Sequence, residues 1–104
     1  MRHFTVYLKP FKLDDLIAAL APFGVQALTV EEVRGYGRQK GHLELYRGSE
    51  YQITFLPKLR VEFVAPQPLE RPIVEAVCEA VRTGRIGDGK VLVREVRQLR
   101  RLGG

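Results

Sequence analysis

Three glycines and two cations lie within the eight residues Thr83-Gly84-Arg85-Ile86-Gly87-Asp88-Gly89-Lys90. Glycine adopts positive φ at little steric cost, so the backbone N–H groups of such a segment can turn inward and form a concave nest. Lys90 and Arg85 can supply the positive charge that phosphate demands. The segment therefore predicts an anion-binding loop, and the alternative is an ordinary tight turn before the apolar strand that begins at Val91.

The length of 104 residues predicts a single domain, which can form one core but cannot easily enclose a deep active site. Sites built between subunits would solve that problem. A hydrophobic fraction of 45% excludes a disordered chain, and no apolar run approaches the roughly 20 residues that cross a bilayer. The N-terminus enters an alternating strand pattern directly, without the features of a secretory signal, so a cytoplasmic protein is expected.

Charge and the reactive side chains narrow the class of protein further. The formal net charge of +5 and the pI near 9.7 favour anionic ligands or partners, without distinguishing nucleotides from nucleic acids. Cys78 is the single cysteine, which excludes an intrachain disulfide and a cysteine-based metal site, and its helical neighbours predict a buried side chain. No nucleophile–base pair is visible and neither His3 nor His42 has metal-ligand spacing, so an enzyme is not expected.

Hydrophobic periodicity predicts the elements that must position the glycine loop. Strand alternation covers residues 3–9, 25–33, 58–65 and 91–96, and helical spacing covers residues 13–21 and 72–81. The phase of the second strand slips near Val33, as in a β-bulge, and the segment Gly35-Tyr36-Gly37 is expected to end that strand. Gly24 is expected to close the first helix.

The order β-α-β-β-α-β predicts an α+β fold, the ferredoxin-like antiparallel sheet with both helices on one face. The other face is expected to carry large apolar residues that drive oligomerisation. The candidates are Phe4, Val6 or Tyr7, and Val61 or Phe63.

Residues 38–55 are polar, mixed in charge and without a sustained period of either kind. A structureless segment of this length inside a compact domain is unusual unless it is functional. We therefore predict a protruding binding loop, and the alternative is an ordinary hairpin of strands 43–45 and 51–55 about Arg47-Gly48-Ser49.

Four segments together resemble the PII nitrogen-regulatory signalling proteins. They are KPFKLDD at residues 9–15, GYGRQKGH at 35–42, ELYRGSEY at 44–51 and TGRIGDGK at 83–90. The resemblance implies one PII-like domain over residues 1–104, with an effector loop at about residues 37–55, a phosphate-binding loop at about 83–90 and a basic C-terminal segment at 97–104. PII proteins are cytoplasmic homotrimers that bind ATP or ADP in clefts between subunits, and 2-oxoglutarate together with Mg²⁺ and ATP.

The same resemblance implies the roles of individual residues. Those matching nucleotide-binding positions are Thr29, Gly37, Arg38, Gln39, Val64, Gly87, Asp88, Gly89, Lys90 and Arg101. Those matching the 2-oxoglutarate site are Lys9, Gln39, Lys40, Gly41, Lys58 and Gly87. The side-chain oxygen of Gln39 matches the group that completes the magnesium shell, and an oxygen ligand suits this hard cation. The alternative for Lys9 and Lys58 is plain solvation beside a strand end.

The effector loop carries the implied modification and partner positions. Tyr51 matches the tyrosine that is uridylylated in proteobacterial members, and Ser49, the less favoured candidate, matches the serine that is phosphorylated in cyanobacterial members. Arg47 matches the arginine that plugs the ammonium channel. The implied partners are that channel, a uridylyltransferase, a nitrogen-regulation kinase and an adenylyltransferase, and the sequence does not choose among them. Nucleic acid is not an expected partner, and a membrane is reached only through the channel.

Two departures and one alternative qualify the resemblance. The family usually carries an arginine two residues after Arg101, where this sequence has Gly103, and Gln98 stands where arginine is common. Fewer cations could change the preference between ATP and ADP. The alternative is an RNA-recognition domain, whose strand motifs are similar to residues 6–9 and 34–37, but its longer motif belongs on the third strand and Arg38 replaces its next aromatic residue.

Overall fold

The computed structural model describes residues 1–37 and 54–103 of the chain. Its main elements are β1 (Arg2–Leu8), α1 (Leu13–Leu20), β2 (Thr29–Gly37), β3 (Thr54–Ala65), α2 (Glu70–Val81) and β4 (Gly89–Glu95). The strands of these described ranges form a sheet in the order β2-β3-β1-β4, with antiparallel neighbours throughout. This is the ferredoxin-like sandwich that the order of elements predicts, so that prediction is confirmed.

Both helices pack on one face of the sheet, which we call the covered face. Phe4, Val6 and Leu8 of β1 are fully buried there, because alternate residues of a strand point to the same side. Leu16 of α1 and Ile73 of α2 are also fully buried and belong to the same apolar cluster. The strand period of two and the helical period of 3.6 thus meet in one core.

The prediction that Phe4, Val6, Val61 or Phe63 lie on the uncovered face is wrong. Phe4 pairs with Phe63 and Val6 with Val61, and all four are at most 4% exposed within the helix-packed cluster. The Phe4 and Phe63 rings stack at a centroid distance of 4.8 Å. Alternation shows which residues share a face, but only tertiary packing decides which face the helices cover.

The opposite face, which we call the open face, is mainly polar. Cross-strand pairing aligns Tyr7 with Arg60 of β3 and Lys90 of β4, and aligns Thr5 with Glu62 and Leu92. Of the residues predicted for an uncovered apolar face, Tyr7 is the one that lies here. Any association through this face therefore involves hydrogen-bonding and charged groups as well as apolar area.

Four expectations about β2 and β3 are also corrected. β2 begins at Thr29 rather than Val25, and its pairing with β3 runs without a bulge from Thr29–Glu62 to Gly37–Thr54, so Gly35 lies inside the strand. β3 runs through Pro57, which lies beyond the last β1 pair, Leu8–Leu59. β3 has β2 as its neighbour at that point, and a proline is tolerated where one edge is unpaired.

The predicted effector loop begins and ends within this β2–β3 ribbon. Gly37, Thr54 and Phe55 belong to strands, and the rest of the predicted loop, residues 38–53, lies outside the described residues. The alternative hairpin at 43–45 and 51–55 falls largely on the same segment.

The end of the first helix follows the prediction more closely. Gly24 is left-handed, with φ of 78°, at the end of the 3₁₀ turn Ala21–Phe23 that follows α1.

Candidate functional site

The strand register brings the glycine loop to one end of the sheet. β4 begins at Gly89, which pairs with Leu8 at the end of β1, and Leu8 pairs with Leu59 of β3. The loop before Gly89 therefore lies beside Lys9, which follows β1, and beside Lys58, which precedes Leu59. The structure gathers at this end six of the predicted site positions from three separate segments: Lys9, Lys58, Gly87, Asp88, Gly89 and Lys90.

Asp88 accepts hydrogen bonds from the first residues of the glycine loop to which it belongs. Its carboxylate accepts hydrogen bonds from the Thr83 hydroxyl, from the Thr83 N–H at 2.6 Å and from the Gly84 N–H at 2.9 Å. The Lys9 ammonium lies 3.2 Å from Asp88 Oδ1. The hydrogen bond from the Thr83 side chain is the largest of the causes that hold the pKa of Asp88 well below its usual range. An anionic side chain used in this way shapes the loop rather than contacting phosphate directly.

Backbone conformation explains why the loop contains glycine. Gly84 and Gly87 have φ of 83°, and Gly89 has φ of 141°, all in the region that side chains disfavour. A Cβ on Gly89 would lie 1.9 Å from the Tyr7 carbonyl oxygen, whereas a Cβ on Gly84 would meet nothing within 4 Å. Gly89 is thus required both by its positive φ and by the close approach of the Tyr7 backbone. Gly84 is required by its positive φ alone.

Lys9 and Lys58 form a pair of ammonium groups beside the loop. Lys58 is buried, with 9% of its surface exposed, and its ammonium donates to the Gly87 carbonyl oxygen. Burial lowers the pKa of Lys58, the nearby charge of Lys9 lowers it further, and Asp88 raises it in part. Two cations beside one carboxylate leave an excess of positive charge in a partly desolvated place, which is suited to an anionic ligand. The alternative for Lys9 and Lys58 was plain solvation, and these contacts contradict it.

A cleft of about 500 Å³ opens between the glycine loop and the open face. It is lined by Tyr7, Val33, Arg34, Gly35, Lys58, Arg60, Gly87, Gly89 and Lys90. Lys58, Arg60 and Lys90 occupy open-face positions of the strands, and Arg60 is paired with Glu31. Among the described lining residues there is no carboxylate, so this cleft presents positive charge and backbone groups to a ligand.

Sequence reasoning missed four of the side chains that line this cleft. Tyr7, Val33, Arg34 and Arg60 were not predicted as site residues. The alternation of β3 places Arg60 on the same face as Lys58, and that signal could have identified Arg60. The proximity of Tyr7 to the loop depends on the β1–β4 register, which has no local signature in the sequence.

Other predicted site residues lie away from the cleft. Thr29 pairs with Glu62, and Val64 pairs with His3 near the opposite end of β1. Since a strand rises about 3.3 Å per residue, Val64 is roughly 17 Å along β3 from Leu59. Arg101 is exposed beyond β4, whereas Gly37, the last residue of β2, comes only two residues after Gly35, which lines the cleft. The predicted residues Arg38, Gln39, Lys40, Gly41, Arg47, Ser49 and Tyr51 lie outside the described residues.

The fold and the cleft define a class of protein, a ferredoxin-like domain with a cationic, glycine-rich site at one end of its sheet. Comparisons with known proteins give the family. The family model described as Nitrogen regulatory protein P-II matches residues 1–103. The Nitrogen regulatory protein P-II of Haemophilus influenzae is 48% identical over 102 residues, covering 98% of this chain and 91% of that protein.

Two further relatives agree with this match. Nitrogen regulatory protein P-II 1 of Escherichia coli K12 is 47% identical over 102 residues, with the same coverage of 98% and 91%. Nitrogen regulatory protein P-II of Rhizobium etli is 52% identical over 93 residues, covering 89% of this chain and 83% of that protein. The chain belongs to the P-II family of nitrogen regulatory proteins. It is a PII-type signalling regulator that acts on partner proteins, and it is not an enzyme.

Membrane-spanning helices and clusters of metal-binding side chains are both absent from the described residues. None of the helices in residues 1–37 and 54–103 is long and apolar enough to cross a membrane. Within the same ranges, no three side chains of His, Cys, Asp or Glu come together as a group that could hold a metal ion.

Proposed function

We propose that this chain senses adenine nucleotides and 2-oxoglutarate and reports them to partner proteins through the loop at about residues 37–55. The observation that carries the proposal is the convergence of Lys58, Arg60 and Lys90 with the backbone of Gly87 and Gly89 around one cleft. Polyphosphates need charge-assisted donors, and the cleft offers cationic side chains together with the backbone of two glycines. Membership of the P-II family supports the same reading.

The phosphates of ATP or ADP would lie along the glycine loop. Lys90 would supply an ammonium group, and Gly87 and Gly89 allow the close approach of backbone that a nest requires. Asp88 would act indirectly, because its carboxylate already receives the loop's own donors. The resemblance adds Arg38 and Arg101 as further cations.

A homotrimer would complete this site. Thr29 and Val64, which the resemblance assigns to the adenine and ribose, lie toward the other end of the sheet from the glycine loop. A neighbouring subunit packed against the open face would bring its own Thr29 and Val64 to this cleft, and its Arg101 to the phosphates. The site would then form between protomers, as the small size of the chain suggests.

2-Oxoglutarate would bind at the lysine end of the cleft. Its two carboxylates would meet Lys58 and Lys9, with Gln39, Lys40, Gly41 and Gly87 as further contacts by resemblance. The described lining residues offer no carboxylate for Mg²⁺, so the ion fits here only with ligand oxygens and Gln39 in its shell. When bound, Mg²⁺ would neutralise and orient phosphate and carboxylate oxygens.

Ligand identity would select the shape of the effector loop. ATP, Mg²⁺ and 2-oxoglutarate would order the loop in a conformation that partners cannot bind. ADP would leave the loop free to extend. Tyr51 is the proposed uridylylation site, with Ser49 as a less favoured phosphorylation site, and Arg47 is the proposed channel contact. The candidate partners are an ammonium channel, a uridylyltransferase, a nitrogen-regulation kinase and an adenylyltransferase, all reached from the cytoplasm.

Titration calorimetry with ADP and ATP tests the assignment of the phosphate site. Lys90→Gln should weaken both by about 10-fold or more, because it removes a charge-assisted contact. Arg85→Gln is the matched control in the same loop. Arg85 is exposed and does not line the cleft, so its affinities should stay within about twofold of wild type. Equal losses in the two variants would contradict the assignment.

A second titration tests the coupling between ligands. Gln39→Glu should weaken 2-oxoglutarate binding in the presence of ATP and Mg²⁺, while leaving ADP binding nearly intact. Lys12→Gln is the control, since Lys12 pairs with Asp15 on α1 and does not line the cleft. Equal loss of 2-oxoglutarate and ADP binding would contradict the proposed coupling.

The RNA-recognition alternative is less well supported. Its longer aromatic motif belongs on the third strand, whereas Tyr36 lies in β2, the second strand. The match to the P-II family over residues 1–103 also favours the signalling role.

A further inference from the structure

Tyr7 lies in the cleft between two cations. The β-sheet register pairs Tyr7 with Arg60 on one side and with Lys90 on the other, and all three residues line the cleft. Arg60 is paired with the carboxylate of Glu31. Lys90 takes part in none of the ion pairs within residues 1–37 and 54–103. Its ammonium instead lies over the Tyr7 ring, 5.1 Å from the centroid.

This contact fixes the direction of a flexible side chain. A lysine ammonium within about 6 Å of a tyrosine ring face is attracted by the ring quadrupole. Lys90 also lines a second cavity of about 170 Å³ that includes Val77 and Val81 of α2. The Tyr7 ring belongs to the larger cleft, so the contact holds the Lys90 ammonium on that side of β4.

We propose that Tyr7 is a positioning residue that holds Lys90 in the cleft and thereby raises the affinity of the cleft for polyphosphate. The inference rests on the proposed function, in which Lys90 contacts phosphate. A long lysine side chain loses considerable rotamer freedom when it binds an anion, and a contact that orders it beforehand reduces that loss. The ring face attracts the charge of the Lys90 ammonium but does not occupy all three of its N–H donors. The donors that remain are available to phosphate oxygens.

Tyr7→Leu and Tyr7→Phe are the matched variants. Leucine removes the aromatic face, whereas phenylalanine keeps it and removes only the hydroxyl. Titration with inorganic tripolyphosphate should show an affinity about two- to fivefold lower in Tyr7→Leu than in wild type, because this is the range of a partly exposed cation–π contact. The affinity of Tyr7→Phe should be nearly unchanged. In a Lys90→Gln background, Tyr7→Leu should have no further effect on affinity. Equal affinity in Tyr7→Leu and wild type, or an equal loss in both Tyr7 variants, overturns the proposal.

NMR tests the contact without any ligand. The ε-methylene protons of Lys90, assigned by their loss in Lys90→Gln, should be shifted upfield by the ring in wild type and in Tyr7→Phe. In Tyr7→Leu they should move to the position of an exposed lysine. A wild-type spectrum without the upfield shift overturns the proposal even if Tyr7→Leu fails to fold.

The two kinds of failure can be told apart. A wild-type chain that binds tripolyphosphate with the predicted Tyr7 dependence, but binds neither ATP nor ADP, contradicts the proposed function and supports the role of Tyr7. A chain that binds ADP with equal strength in wild type and Tyr7→Leu supports the proposed function and overturns the role of Tyr7. A chain that binds none of these probes overturns both.

Discussion

The two faces of the sheet use the same strands for different purposes. On the covered face, Phe4 and Val6 are fully buried against the helices, in an apolar cluster that includes Leu16 and Ile73. On the open face, Tyr7 of β1 and Arg60 of β3 pair with each other and line the cleft. One face therefore stabilises the domain, and the other carries the groups that can bind an anion.

The difference shows how a small domain can separate stability from binding. Because side chains alternate along a strand, a change at one residue of β1 affects the core, while a change at the next affects the cleft. The glycine loop is the exception, since Gly89 touches the backbone of Tyr7 while the loop also lines the cleft. Substitutions in the core, in the loop and on the surface should therefore give distinct signatures.

The largest effect on stability is expected in the core. Leu16→Ala should lower the free energy of unfolding by about 2–5 kcal/mol, because Leu16 is fully buried and the change leaves a cavity. Ile17→Ala is the matched control on α1. Ile17 is 44% exposed and loses the same number of carbon atoms, so its cost should be below about 1.5 kcal/mol. Urea unfolding followed by circular dichroism, at one protein concentration, measures both. Similar costs would contradict the assignment of Leu16 to the core beneath the covered face.

An intermediate effect is expected where the loop meets β1. Gly89→Ala should cost about 2–3 kcal/mol and also weaken ADP binding, because the added Cβ would strike the Tyr7 carbonyl oxygen and move the start of β4. Gly84→Ala is the control for positive φ without a clash, and should cost about 1 kcal/mol. Unfolding curves and ADP titrations of both variants measure this. A Gly89→Ala protein that matches Gly84→Ala in both properties would disprove the close-approach argument.

A smaller effect, which depends on pH, is expected at Asp88. Its folded-state pKa lies below the unfolded value of about 3.9, so its stabilisation is fully present above that value and is lost as the pH falls through the folded pKa. Asp88→Asn should therefore lower the free energy of unfolding by about 1–3 kcal/mol at pH 7, and by progressively less below about pH 4. Unfolding measured from pH 7 to pH 2 checks this, and a difference that does not change with pH would contradict it.

The fold was predictable where local patterns determine it. The alternation of β1, the helical spacing around Leu16 and the terminating Gly24 all follow from short segments, and together they predict the order of elements. The extent of β2 through Gly35 and of β3 through Pro57 was not predictable, because strand pairing between distant segments overrides the local signals of glycine and proline. The face that the helices cover was missed for a similar reason.

The candidate site was predictable in part. The glycine loop and Lys90 have a local signature, and Lys9 and Lys58 came from the resemblance to a family. Tyr7 and Arg60 were missed because their position depends on the pairing of β1 with β3 and β4. The loop signature also did not show that the Asp88 carboxylate would turn toward Thr83 and Gly84.

Native mass spectrometry during an ADP titration tests the central claim most directly, because it reads subunit number and bound nucleotide together. If the cleft binds nucleotide between protomers, the wild-type chain should appear as a trimer that takes up to three ADP molecules, and Lys90→Gln should remain a trimer with reduced uptake. A stable monomer that takes up neither ADP nor ATP would contradict the account.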